Sequence, residues 1–285
     1  MSEFSSKFID ITTWVDSEID PVRHRQRRAT HILLAAIAKI RPPYTLYLKG
    51  GLLLGLVHNS TRMTSDIDLT ATFPPSDDID AKIRKILDRA LPEVAARLGY
   101  AGTVTTVHRI SKSPRPNIEE LRFPSLSIKI EHISNGRQRD YIQIDISFNE
   151  PDIVSVDIID IGDNIEIYAY SLVDVIAEKY RALLQQSSRR RKGRRQDIYD
   201  IDFLLNRFAF DDNKKDIVLE AILAKCRARD IDPDIDSIDN PEVERKAQDL
   251  WDSMKLETGS LPEFDDCFKK VRQFYKDLPW DKSVK

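Results

Sequence analysis

Two runs, Ser125-Leu126-Ser127-Ile128-Lys129-Ile130-Glu131 and Tyr141-Ile142-Gln143-Ile144-Asp145-Ile146-Ser147, alternate polar and apolar residues without a break. A period of two places every second side chain on one face, which suits a strand with one wet and one buried side and suits no helix. The Ser-Asn-Gly stretch between the runs is turn chemistry, so the pair reads as an antiparallel hairpin. Ser65 to Ala71 alternates in the same way. Tyr44 to Leu48 is a further short strand, and Lys49-Gly50-Gly51 turns it into an apolar helix over Leu52 to His58. Helical patterns cover Arg23 to Ile40, stopped before Pro42-Pro43, and Asp80 to Leu98. After an extended piece near Ile165 to Tyr168 the pattern stays helical: Ser171 to Gln186, Gln196 to Arg207, Asp216 to Arg229, Pro241 to Lys255 and Pro262 to Leu278. Asp230 to Asp239, rich in Asp and Pro, reads as a loop. The expected fold class is α/β (α+β), with a mixed-sheet domain over residues 1–170 and a helical domain over 171–285.

At 285 residues such a chain buries a core without a staple. Its two cysteines, Cys226 and Cys267, fit neither a zinc spacing nor a disulfide framework and read as structural thiols of a reducing compartment. No stretch has the length and apolar character of a signal segment or a membrane span, so a cytoplasmic protein with no membrane contact is expected. The formal net charge of -3 excludes a uniformly basic nucleic-acid binder but leaves room for local basic patches. Ser187 to Arg195 is one, with six cations in the seven residues from Arg189, and Arg23, Arg25, Arg27 and Arg28 could extend it. His58, His108 and His132 have no metal-ligand spacing, and the sequence holds no defensible Ser/His/Asp or Cys nucleophile. Trp251 and Trp280 read as packing residues.

Asp66 and Asp68 are the candidate chemistry. Two residues apart on a strand, their carboxylates point to one face about 6.5–7 Å apart, and like charges so placed call for a cation between them. Mg2+ prefers hard oxygen ligands and keeps positions for water and phosphate. Asp145 supplies a third ligand if its strand lies beside that of Asp66, with Ile144 and Ile146 facing the opposite, buried layer. Two metals about 3.5–4 Å apart would activate an attacking hydroxyl and steady a leaving pyrophosphate, with Asp145 placed to take the proton. Gly50-Gly51 precedes a helix, where bare backbone N–H groups admit a phosphate, and Arg62 could orient the loop or touch phosphate. Alone, each feature has a bland reading. Asp-Ile-Asp recurs at Asp230 to Asp232 and Asp234 to Asp236, so the order of the pieces decides.

That order is Lys49-Gly50-Gly51, Arg62-x-x-Ser65-Asp66-Ile67-Asp68, a strand aspartate at 145, Lys179-x-Arg181 and Arg195-Gln196-Asp197-Ile198-Tyr199-Asp200. It resembles the AbiEii/AbiGii toxin family of nucleotidyltransferases, which includes the MenT-type toxins and belongs to the polymerase-beta-like superfamily. The resemblance spans residues 49 to about 205 and implies a nucleotidyltransferase fold. It implies transfer of a nucleoside monophosphate from a nucleoside triphosphate to an acceptor, the tRNA 3′ end or another RNA, by the toxin of an abortive-infection or type IV toxin-antitoxin pair. The cognate antitoxin would be a separate protein from an adjacent gene. Implied cofactors are two Mg2+ ions, with Mn2+ as an alternative, on Asp66, Asp68 and Asp145. Lys179 and Asp197 join these aspartates as implied catalytic residues, with Asp200 one turn on ranked lower. Gly50, Gly51, Arg62, Ser65, Lys179, Arg181 and Arg195 are the implied nucleotide and phosphate contacts. Two departures stand out: Leu52 replaces the small or hydroxyl residue usual after Gly-Gly, and Gln196 replaces the basic residue usual before the motif aspartate, where Arg194 or Arg195 could compensate. Transfer to an aminoglycoside-like small molecule or a protein hydroxyl, and a silent nucleotide-binding module, are the rival readings.

Overall fold

The computed structural model describes residues 5–40, 44–113, 122–151, 153–188 and 193–282. The chain forms two compact units. The first holds Thr64–Glu150, Val156–Ala169 and the chain up to His58; the second holds Asn59–Met63, Pro151–Ser155 and the chain from Tyr170 onward.

The first unit is built on a mixed sheet of eight strands among the described residues: β1 (Ser5–Phe8), β2 (Leu46–Lys49), β3 (Asp66–Ala71), β4 (Thr103–Ser113), β5 (Ser125–Ser134), β6 (Gln138–Ser147), β7 (Val156–Asp160) and β8 (Glu166–Tyr170). Their order is β1-β7-β8-β2-β3-β6-β5-β4. β5 and β6 form the expected antiparallel hairpin, and β3 lies parallel to β6. Leu126, Ile128, Ile130, Ile142, Ile144 and Ile146 are all buried. At roughly 1.5–3 kcal/mol for each such side chain, a one-residue slip of this hairpin would forfeit an amount comparable to a typical domain's whole stability. The isoleucines therefore fix which face Asp145 takes.

Helices α1 (Ile11–Asp16), α2 (Pro21–Ile37), α3 (Gly50–His58) and α4 (Ile79–Arg97) complete this unit. α2 starts where Asp20 accepts from the Val22 and Arg23 N–H groups and Pro21 takes the first helical position, a cap that satisfies orphan donors. It ends at Ile37, short of the expected Ile40. α2 and α4 pack on each other, α2 against β6 and α4 against β4. Three of the four arginines of α2 are engaged by neighbouring side chains rather than held out as a basic surface, and Arg23 is exposed. Arg25 pairs with Asp140, Arg27 with Glu18 and the Trp14 ring, and Arg28 lies over the Tyr100 ring.

The second unit is helical: α5 (Leu172–Leu184), α6 (Arg195–Arg207), α7 (Asp212–Arg227), α8 (Pro241–Gln248), α9 (Lys255–Thr258) and α10 (Phe264–Lys276). The single helix expected over Pro241 to Lys255 is broken. Leu250 has φ +58°, a 3-10 turn spans Trp251–Met254, and the buried Trp251 indole donates to the Pro262 carbonyl at 3.0 Å. Packing the indole against Phe264 outweighs the cost of a left-handed leucine, of order 1–2 kcal/mol. A buried pair, Asp174 and Lys225 at 3.2 Å, anchors the segment before β7. Asp174 also accepts from the Ser171 hydroxyl and from the Val154 and Ser155 N–H groups. No helix among the described residues is long and apolar enough to cross a membrane.

Candidate active site

The parallel pairing of β3 with β6 sets Asp66 opposite Gln143 and Asp68 opposite Asp145. Neighbouring strands lie about 4.8 Å apart, and residues two apart share a face. Asp66, Asp68 and Asp145 therefore rise from one face of the sheet, while Ile67, Leu69, Ile144 and Ile146 are buried on the other. β2 extends the row, because its antiparallel register puts Lys49 opposite Asp68.

The side chains of this face are held locally. Ser65 donates to Asp66 Oδ1 at 3.1 Å, and the Gln143 amide donates to Asp145 Oδ1 at 3.1 Å while also bonding Ser127. Lys49, buried, donates to the Ser147 hydroxyl at 3.2 Å and stands 3.9 Å from Glu150. Gly50 has φ +72°, and a Cβ there would lie 2.1 Å from Asp68 Oδ2. Only glycine allows both that backbone and that approach. Gly51, buried, follows it into the first turn of α3. The donor set of hard carboxylate oxygens, that of Asp68 lying against the bare backbone of Gly50, fits a divalent cation carrying a phosphate. Among the described residues, however, no three His, Cys, Asp or Glu side chains converge on one point as a closed metal site. The aspartates share a face, with the side chain of Asp66 held by Ser65, that of Asp145 by Gln143 and that of Asp68 against Gly50.

The second unit gathers the remaining motif residues into an ionic network. Lys179 on α5 donates to Asp197 at 3.0 Å and to Asp200 at 2.7 Å, both on α6. Arg62 donates two bonds to the same Asp200, at 2.9 and 3.0 Å, which is the bidentate fork that suits a guanidinium. Burial pulls the Lys179 ammonium down, but Asp200 and Asp197 outweigh it and hold its pKa above the ordinary value. For Asp200, burial pushes upward and the two cations win, keeping the carboxyl below its ordinary value. Asp200 is completely buried and lies at the centre of the network, whereas Asp197 keeps one carboxylate oxygen enclosed without a hydrogen-bond partner among the described residues. Arg181 is buried, bonding Gln185 at 2.7 Å and pairing with Glu178. Arg195 opens α6, half-buried, with its Nε enclosed and lacking a partner among the described residues. Gln196 bonds Glu257 at 2.8 Å. Arg189 to Lys192 of the basic run lie outside the described residues; Arg194 is exposed, 3.9 Å from Asp197.

Ser127, Gln143, the bond from Lys49 to Ser147 and the central place of Asp200 escape a reading of local sequence. Each owes its position to a partner many residues away, and only the strand register or the helix packing reveals it.

A mixed sheet that carries paired aspartates on β3, a third on the parallel β6 and a Gly-Gly helix start is the scaffold of a nucleotidyltransferase. The family profile described as nucleotidyl transferase AbiEii toxin, type IV toxin-antitoxin system, matches residues 32–270, and the chain belongs to that family. Two solved structures from Helicobacter pylori share the fold. One, a candidate nucleotidyltransferase, is 11% identical with a TM-score of 0.53, covering 94% of this chain and 100% of its own. The other, JHP933, is 11% identical with a TM-score of 0.51, covering 93% and 96%. No curated protein sequence gives a significant match.

Proposed function

We propose that this nucleotidyltransferase moves a nucleoside monophosphate from a nucleoside triphosphate to an RNA 3′ hydroxyl, that of tRNA first among the acceptors, with Mg2+ held by Asp66, Asp68 and Asp145. The observation that carries this reading is the β3–β6 register, which sets Asp68 beside Asp145 with Asp66 on the same face. Two Mg2+ ions, or Mn2+ in their place, would supply charge neutralisation for the triphosphate and acidity for the attacking hydroxyl. The acceptor oxygen bonds to the α-phosphorus as the bond to the pyrophosphate oxygen breaks, and pyrophosphate leaves. Asp145 takes the hydroxyl proton. The backbone of Gly50 and Gly51 receives phosphate oxygens, which the glycine-only approach at Gly50 favours, and Ser65 steadies Asp66.

In the helical unit, Lys179, Asp197 and Arg62 act as positioning residues around Asp200. Their charges are mutually offset, and Arg181 is likewise paired, with Glu178. The run of six cations from Arg189 to Arg195 favours a polyanionic acceptor over a cationic drug. The family implies an antitoxin partner, which we take to be encoded beside this protein. The test is incubation with each labelled triphosphate, Mg2+ and total RNA. Label in RNA from the wild-type protein and none from Asp68→Ala is the expected result; equal labelling by both rejects the mechanism, and label in protein or a small molecule alone rejects the acceptor.

A further inference from the structure

The face that carries the aspartates continues across β6, β5 and β4, and its rows are fixed by register. Asp66 on β3 lies opposite Gln143, Gln143 opposite Lys129, and Lys129 opposite Arg109. The next row along places Tyr141 opposite Glu131 and Glu131 opposite Thr106. Tyr141 is on the same strand and face as Asp145, four residues away and so about 13 Å along β6. It is 40% exposed, unusual for a large aromatic on a sheet whose other face is packed with isoleucine.

The surroundings of Tyr141 are aromatic and cationic. The His108 ring meets it edge-on, with centroids 5.4 Å apart, where the β4–β5 register shifts between Val107 and Arg109. Its hydroxyl donates to Glu131 at 3.1 Å, and Arg139 neutralises that carboxylate at 3.3 Å. The Lys129 ammonium lies 4.0 Å from the ring centroid. Arg109 and His108 are exposed. A ring anchored through its hydroxyl and bordered by cations is how single-stranded nucleic acid is gripped: bases stack on the aromatic, and the backbone meets the charges.

We propose that Tyr141 and His108 form a base-stacking platform for the single-stranded end of the acceptor RNA, with Lys129 and Arg109 on its phosphates. This rests on the reading of the protein as an RNA-directed transferase and adds where the acceptor lies. The ammonium contact with this exposed ring is the weaker interaction, so an arriving base displaces Lys129. The flexible lysine stem then lets the charge follow the phosphate. The platform's distance from Asp145 suits nucleotides next to the reacting end, not the reacting nucleotide itself. Hydrogen bonds to base edges are not part of the platform, so it is tolerant of sequence.

Tyr141→Ala, Tyr141→Phe and Lys129→Ala test this with a labelled single-stranded RNA tetranucleotide, read by fluorescence anisotropy, and with transfer kinetics. For Tyr141→Ala, binding weakens about tenfold, the KM for RNA rises by a similar factor, and the KM for the triphosphate and the melting temperature stay put. Tyr141→Phe keeps wild-type binding, because the ring and not the hydroxyl carries the stack. Lys129→Ala shows a shallower salt dependence of binding than the wild type. Wild-type affinity and RNA KM in Tyr141→Ala would overturn the platform while leaving the RNA-transferase reading standing. A wild-type protein that neither binds the tetranucleotide nor labels RNA would overturn both, and the two failures are told apart by the wild-type assay alone.

Discussion

In the first unit Asp66, Asp68 and Asp145 occupy neighbouring strand positions on one face, with Asp66 exposed and taking its bond from a serine and Asp145 taking one from a glutamine. In the second unit Asp200 is wholly buried and takes its bonds from Lys179 and Arg62. Both clusters consist of motif aspartates, yet their electrostatics are opposite. The carboxylates on the sheet carry like charge on one face, and Asp66 and Asp145 bond neutral groups, so the set gains from a cation brought in with substrate. The charges around Asp200 balance internally, so removing one member strands the rest in a low-dielectric interior. The first arrangement is suited to chemistry and the second to holding geometry.

Asp68→Ala should separate the two most widely. Transfer is expected to fall by about 10⁴-fold, some 5.5 kcal/mol of transition-state stabilisation, while the urea midpoint holds or rises as like-charge repulsion is relieved. A loss of folding equal to that of Asp200→Ala would erase the contrast. Asp200→Ala should cost about 3–5 kcal/mol of stability by leaving Lys179 and Arg62 buried without their shared partner, measured as a drop in the urea midpoint. Because the folded pKa of Asp200 lies below its ordinary 3.8, its contribution is complete above that value and is lost as pH falls through the folded pKa.

Acid sharpens the comparison further, because the first unit buries a titratable group in its neutral form. His132 is buried between the Thr105 and Ser134 hydroxyls, and burial lowers its pKa to about 4, Asp140 opposing and Arg28 and Arg25 assisting. A base with a depressed folded pKa gives stability that is complete above its ordinary 6.5 and fades as pH falls from there through about 4. This amounts to about 3 kcal/mol. Denaturation profiles from pH 7 to 4 should therefore slope in the wild type and flatten in His132→Gln. A slope unchanged by that substitution would place the titrating group elsewhere.

The hairpin of β5 and β6 and the strand β3 are legible in the sequence because one face is apolar at a strict period of two. β4 is not. As an edge strand its Thr103 to Ser113 run buries little, so no alternation marks it. β1 and β7 pair in parallel across some 150 residues, a contact that no local window contains. The break at Leu250 carries neither glycine nor proline, since it is imposed by Trp251 rather than by turn chemistry. In the site, the aspartates of the sheet could be named because their spacing is local. Asp200 does not stand out beside Asp197 in the sequence, because its second partner, Arg62, lies 138 residues away and helical spacing shows only that the two aspartates share a face.

Gly50→Ala is the smallest perturbation and the one that probes the carboxylate face through its geometry. The methyl group would begin 2.1 Å from Asp68 Oδ2, a distance at which either the carboxylate turns or the first turn of α3 shifts. The positive φ adds strain of about 1–2 kcal/mol, because alanine avoids that region. Turning the Asp68 carboxylate relieves the closest contact but not the approach to the Asp68 Cβ at 2.9 Å, so the backbone of α3 or β3 must also give and stability should fall by somewhat more than that backbone term. Activity should fall more, by roughly a hundredfold, because the carboxylate that moves is a proposed metal ligand. An increase in the Mg2+ concentration needed for half-maximal rate, with a melting temperature lowered by less than in Asp200→Ala, is the expected signature. If melting drops by as much as in Asp200→Ala while the Mg2+ requirement stays fixed, Gly50 serves the packing of α3 on the sheet and its closeness to Asp68 has no chemical role.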